Sequence, residues 1–220
     1  MNLKKIKGWI FDNDGLLQDT EPDYEWSFCD MARTFGRPEP SRELLMKVKG
    51  LDLKEVARLM IEGVGLPLPG YAEFKTELDK RLFQRAPYAE MMPGATELIK
   101  HLHEPALLAV ATSSTKEILV LKTKNHTNIY SMFNSVVSGD DPEVKKGKPA
   151  PDLLLVSSKR IGVPPSECAY VGDNPVDVQA AIAAGILPVA VPSAGRNLSE
   201  FSDALHIFSN LGMLLQELKT

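Results

Sequence analysis

Residues 6–11 form a short apolar run that ends at once in Asp12, Asn13, Asp14 and Gly15. A compact apolar run followed by acidic residues and glycine marks the carboxyl end of a strand. From about Glu21 to Gln84 the spacing changes. Phe28, Met31, Ala32 and Phe35 recur at helical intervals, as do Val56, Leu59 and Met60, and no clear strand pattern intervenes. Asp52 with Glu55 three residues later reads as a capping box at a helix start. Breakers at residues 36–40, at Gly50 and at residues 63–70 divide this stretch into helices. Helical periodicity without an intervening strand predicts a helical insertion rather than a further βα unit.

Beyond Pro93 the pattern becomes regular. It predicts strands over 106–112, 135–137, 169–171 and 187–191, and helices over 95–103, 116–125, 152–161, 176–184 and 211–218. Strands alternating with helices imply an α/β fold whose parallel sheet is covered on both faces. Ligands of such sheets gather at the carboxyl ends of the strands.

The chain of 220 residues fits one α/β domain, or a core carrying a smaller inserted one. Its hydrophobic fraction of 44% and charged fraction of 25% are those of a globular protein. A formal charge of -4 argues against nucleic acid or anionic membrane as a partner. A small anionic substrate stays open, because local cations govern that. Cys29 and Cys168 both sit in apolar stretches and read as buried thiols of a reducing compartment. With no signal-like apolar run near the start and no membrane span, the expected location is cytoplasmic.

Four polar clusters fall at the predicted edge. In Asp12-Asn13-Asp14-Gly15, a carboxylate at a strand end can attack phosphorus, and a second one two residues on can exchange a proton with the leaving oxygen. A surface turn is the simpler alternative, and a calcium loop fits poorly because Gly15 comes fourth rather than sixth. Thr112, Ser113 and Ser114 follow an apolar run, where hydroxyls and backbone N–H groups can hold phosphate oxygens or cap a helix. Lys148, in Gly147-Lys148-Pro149, can neutralise phosphate and orient a carboxylate, while its neighbours Lys145 and Lys146 read as solvated. A Walker loop is excluded, since Pro142 and Pro149 stand where that motif needs Gly and a hydroxyl.

The fourth cluster is Gly172-Asp173-Asn174-Pro175-Val176-Asp177. Its two carboxylates at a helix opening can cap the helix or place oxygens on a metal. Four carboxylates on one sheet edge would repel unless a cation compensated them, which favours the metal, and hard oxygen donors suit Mg²⁺. His101, His103, His126 and His206 show no ligand or triad spacing, Gly63, Gly65 and Gly70 miss dinucleotide spacing, and Trp9 and Trp26 read as packing residues.

Taken in order, Asp12-x-Asp14-Gly15, Thr112, Lys148 and Gly172-Asp173-x-x-x-Asp177 resemble the four motifs of the haloacid dehalogenase-like hydrolase superfamily. The segment from Phe11 to Glu21 is similar to its phosphatase and phosphomutase branch with a helical cap. Residues 139–149 are similar to the pseudouridine 5′-phosphatases and their neighbours, the glycerol and 2-deoxyglucose-6-phosphate phosphatases. The resemblance implies a Rossmann-like three-layer core over 1–18 and 88–220, and an all-α cap over 19–87. It implies Asp12 as nucleophile and Asp14 as general acid and base. Thr112, Ser113 and Lys148 would bind phosphate, with Lys148 also orienting Asp12. Asp12, the backbone carbonyl of Asp14, and Asp173 would hold Mg²⁺, with Asp177 a nearby carboxylate. Motif four here carries Gly-Asp where the helical-cap branch often has Glu-Asp.

The implied activity is that of a phosphoric monoester hydrolase acting on a small phosphorylated metabolite through an aspartyl phosphate. The metabolite would be a sugar, polyol or nucleoside monophosphate, and the simplest assembly is a monomer. A phosphomutase of the β-phosphoglucomutase kind would use the same core, and a non-catalytic phosphate-binding domain is a third reading.

Overall fold

The computed structural model describes residues 3–49, 51, 53–193 and 195–220. Asp52, the expected capping residue, and Gly50 lie outside them. The chain divides into two compact units, Met1–Asp19 with Glu90–Thr220, and Thr20–Ala89.

In the larger unit, β1 (Gly8–Phe11) is followed by β2 (Gln18–Asp19), and after the insertion the chain returns through β3 (Glu90–Met91). Then come α5 (Ala95–Leu102), β4 (Leu107–Ala111), α6 (Lys116–Thr123), α7 (Thr127–Tyr130), β5 (Ser135–Val137) and α8 (Asp152–Ile161). Next are β6 (Cys168–Gly172), α9 (Pro175–Ala184), β7 (Leu187–Ala190), β8 (His206–Ile207) and α10 (Leu211–Lys219). The insertion supplies the four helices that separate α5 from the start of the numbering: α1 (Glu21–Thr34), α2 (Arg42–Val48), α3 (Leu53–Val64) and α4 (Tyr71–Arg85).

Six strands pair in the order β5-β4-β1-β6-β7-β8. Every pairing in this sheet is parallel. Alternation along a strand sends successive side chains to opposite faces, and β1 shows the result. Trp9 and Phe11 enter one core with Leu98 and Ile99 of α5 and Leu214 of α10. Ile10 enters the other with Leu153 and Leu154 of α8 and Ala180 and Ala181 of α9. Helices thus cover both faces, giving the expected three-layer, Rossmann-like α/β core. Each of these large β1 side chains is at most 1% exposed, and burial of that order contributes about 1.5–3 kcal/mol per side chain.

Strand and helix bounds fall within two residues of the periodic reading, with three exceptions. The antiparallel β2–β3 ladder, the four-residue α7 and the two-residue β8 are too short to show a period. In the insertion, Phe28, Met31, Met60, Phe74 and Leu78 pack a core of their own. Arg81 is buried there between Asp30, at 2.9 Å, and Glu77, at 2.7 Å. Cys168 is buried, but Cys29 is only half-buried, since its helix turns Phe28 and Met31 inward and leaves Cys29 at the side. No helix among the described residues is long and apolar enough to cross a membrane.

Candidate active site

The parallel sheet brings the four clusters to one edge. Asp12 follows β1, its N–H donating to the Val171 carbonyl of β6 at 2.9 Å. Thr112 follows β4 and donates its N–H to the Val137 carbonyl of β5 at 3.1 Å. Asp173 follows β6. Lys148 arrives from the loop between β5 and α8. Asp12, Thr112, Asp173 and Asp177 are all buried, although each is polar.

One lysine organises the first group. The Lys148 ammonium, with its side chain 4% exposed, lies 3.0 Å from Asp12 Oδ1 and 2.7 Å from Asp177 Oδ1. It also donates to the Tyr170 hydroxyl at 2.9 Å, and that hydroxyl lies 3.2 Å from Asp177 Oδ1. The other Asp177 oxygen accepts from the Asn174 N–H at 3.0 Å, closing a capping box in which Asn174, not Asp173, caps α9. Asp177 is therefore committed to holding Lys148 and the helix start. Gly172 is required beside it, because a Cβ there would lie 2.3 Å from the Asp177 Cβ. Gly15, at φ +79°, makes room for Asp173 in the same way: a Cβ would fall 2.6 Å from Asp173 Oδ2.

The loop carrying Lys148 packs Val144 against the core that Ile10 enters and is otherwise held by ion pairs and hydrogen bonds. Arg160 of α8 grips Asp141 through two bonds, at 2.7 and 2.9 Å, and reaches Glu143 at 2.8 Å. Asp152 accepts from the Lys145 and Lys146 N–H groups at 2.9 and 3.0 Å. Asp141 and Glu143 thus clamp the approach to Lys148, while Asp140 accepts from the Lys116 N–H of α6 at 2.8 Å, and Lys145 and Lys146 have exposed side chains, as expected of them.

Oxygen atoms of Asp12, Asp173 and Asp177 all lie within 4.8 Å of one another, forming a buried acidic cluster. Three carboxylates share a single ammonium, so negative charge is left over in a region stripped of water. Burial, reinforced by Asp177 and Asp14, pushes the Asp12 carboxyl up to about 7. Burial with the charges of Asp12 and Asp177 drives Asp173 well above the carboxylate range. Such a set of oxygen donors suits a hard divalent cation.

Asp14 belongs to a separate group. It pairs with the Lys122 ammonium of α6, and its other oxygen accepts from Ser114 Oγ at 2.8 Å and Thr112 Oγ1 at 3.1 Å. Burial would raise its carboxyl, but the Lys122 charge and the hydrogen bonds from Lys122, Ser114 and Thr112 outweigh it and hold Asp14 below the usual range. The cap of α6 is Thr115, so the hydroxyls of Thr112 and Ser114 are turned to Asp14 instead. Ser113 is exposed, and its backbone carbonyl lies where a Cβ on Gly139 would come within 2.4 Å.

Lys122, Tyr170 and Tyr130 carry no motif signal in the sequence, whereas Ser114 stands in the Thr112–Ser114 cluster and turns its hydroxyl to Asp14. Lys122 sits in the run Ile-Leu-Val-Leu-Lys, where every position before it is apolar and the inward face cannot be chosen by periodicity. The four histidines lie outside both groups, as their spacing suggests.

A parallel sheet with an acidic nucleophile candidate on its central strand and a helical unit inserted after it defines a class, and sequence comparison names it. The haloacid dehalogenase-like hydrolase family matches residues 9–191, and the chain belongs to that family. A Drosophila melanogaster protein named "Probable pseudouridine-5'-phosphatase" is 37% identical over 95% of this chain and 91% of its own length. (DL)-Glycerol-3-phosphatase 2 of Arabidopsis thaliana is 38% identical over 92% of this chain and 86% of its own. Among solved structures, CbbY from Rhodobacter sphaeroides in complex with phosphate aligns with a TM-score of 0.73 at 23% identity, covering 98% of this chain and 100% of that one. This last likeness shows the fold.

Proposed function

We propose that this chain is a Mg²⁺-dependent phosphatase that releases phosphate from a small phosphorylated metabolite: a sugar, a polyol or a nucleoside monophosphate. The observation that carries the reading is the pairing of buried Asp12, at the end of the central strand, with Lys148 in an acidic cluster short of positive charge. The relatives named for pseudouridine-5′-phosphate and glycerol-3-phosphate support this substrate class.

In this reading Asp12 attacks phosphorus in line and carries the phosphoryl group as an acyl phosphate. Asp14 gives a proton to the departing alkoxide in the first transfer, for which it must gain that proton on substrate binding because Lys122 keeps it ionised in the substrate-free site, and it takes one from water in the second. Thr112, the backbone around Ser113 and the Lys148 ammonium surround the transferring group and offset the charge on its oxygens. Asp12, the Asp14 carbonyl and Asp173 would hold Mg²⁺, while Asp177 keeps Lys148 in place. When bound, the ion supplies charge neutralisation that the single lysine cannot. The inserted unit is the substrate-selecting cap. Two free thiols suit a reducing compartment, and the cytoplasm is the location proposed.

The test is phosphate release from a panel of pseudouridine 5′-phosphate, glycerol phosphates, 2-deoxyglucose 6-phosphate and β-glucose 1-phosphate, with Mg²⁺ and with EDTA. Release from at least one, lost reversibly in EDTA and abolished by Asp12→Asn, is the expected result. Full turnover by Asp12→Asn would end the mechanism.

A further inference from the structure

Lys122 is a buried cation that the reaction just described does not use. The residue is 9% exposed and lies three positions after buried Leu119 on the inward face of α6. Its ammonium pairs with Asp14 Oδ1 and donates to Ser114 Oγ at 3.1 Å. Its carbonyl accepts from Gln18 Nε2 at 2.8 Å, Gln18 Oε1 accepts from Asn13 Nδ2 at 3.1 Å, and the Tyr130 hydroxyl donates to Asn13 Oδ1. The backbone end of this long flexible side chain is thus held by Gln18, which Asn13, the residue before Asp14, holds in turn.

The two groups divide two lysines between two tasks. Lys148 faces Asp12 and Asp177; Lys122 faces Asp14. An ionised carboxylate has about four lone-pair positions. On Asp14, Oδ2 accepts from both Ser114 and Thr112, and Oδ1 accepts from Lys122. One position on Oδ1 is left, and its direction is fixed because the other three are taken.

We infer that Lys122 is a positioning residue for Asp14, fixing the carboxylate so that its remaining lone pair accepts the proton of the water that opens the aspartyl phosphate. In that step the water oxygen bonds to phosphorus and the bond from phosphorus to the Asp12 oxygen breaks. The water proton passes to Asp14 Oδ1, and inorganic phosphate leaves with Asp12 restored as carboxylate. The inference rests on the proposed role of Asp14.

The experiment uses p-nitrophenyl phosphate, whose leaving group needs no proton, with stopped-flow detection of nitrophenolate for the parent, Lys122→Met, Lys122→Arg and Asp14→Asn. The ratio kcat/KM reports transfer to Asp12, whereas kcat includes the hydrolysis step. Lys122→Met is expected to lower kcat about 10²-fold, the lower end of what a positioned general base contributes. It should show a burst near one nitrophenolate per site and keep kcat/KM within about threefold of the parent. Lys122→Arg should regain part of kcat. The retained kcat/KM doubles as the check that the variant has folded. Equal losses in kcat and kcat/KM without a burst, alongside a burst in Asp14→Asn, would overturn the inference and leave the proposed reaction standing. Parental kcat and no burst in Asp14→Asn would overturn the role of Asp14 and this inference with it.

Discussion

Replacing Lys148 by Met removes the one ammonium from the acidic cluster while keeping the side chain's length and its apolar stem. Two ion pairs disappear, at 3.0 Å to Asp12 and 2.7 Å to Asp177, both with side chains 10% exposed or less, along with the 2.9 Å hydrogen bond to the Tyr170 hydroxyl. Removing one partner from a buried pair costs about 3–5 kcal/mol, because the abandoned charge stays out of water. For a protein of this size each kcal/mol lowers the melting temperature by about 2–4 °C, so a fall of about 6–20 °C is expected in EDTA at pH 8. The loss should shrink at pH 5. Asp12 titrates near 7, so below that pH it is already protonated in the parent, and the lysine has one carboxylate less to hold. Thermal unfolding of both proteins in EDTA at the two pH values measures the difference directly. An equal loss at pH 5 and pH 8 would refute the claim that the Asp12 pair carries part of the stability. A loss under about 1 kcal/mol would refute the burial argument altogether.

Two further outcomes follow from the same geometry. The raised Asp12 carboxyl means that the metal-free fold keeps a proton that the unfolded chain releases near 3.8. Its contribution is full below that value and is lost as pH rises towards 7, so the melting temperature in EDTA should fall between pH 5 and 8. Added Mg²⁺ should remove that fall, and a profile insensitive to Mg²⁺ would contradict the cluster's role. Gly139→Ala would place a Cβ 2.4 Å from the Ser113 carbonyl, a backbone atom that cannot swing aside. Displacing the Thr112–Ser114 turn should cut kcat/KM for phosphate release by about 10²-fold, with folding retained by circular dichroism; a parental rate would show that this turn does not hold the phosphate.

The core helices are legible because each buries one face and so carries a helical period, and the central strands because, buried on both faces, they are compact apolar runs. The β2–β3 ladder, α7 and β8 have too few residues for either. At the site, Asp12, Thr112, Lys148 and Asp173 stand at strand ends or beside a proline, where polar residues interrupt apolar runs and so announce themselves. Lys122 interrupts nothing of the kind. Its partner is 108 residues away, and only the turn of α6 brings the two together. Likewise Asp141 and Glu143, which carried part of the family likeness, contact Arg160 rather than the acidic cluster.

The β2–β3 ladder has an architectural consequence. Gln18 pairs with Met91 and Asp19 with Glu90, so the chain leaves the core and re-enters it at adjacent, antiparallel positions. Two such neighbours can be joined by a turn of about two residues. The core therefore closes its own hydrogen bonds at this point without reference to what is threaded between. It acts as a socket: the helical module hangs from one paired point, apart from the strands that lead to Asp12 and Asp173.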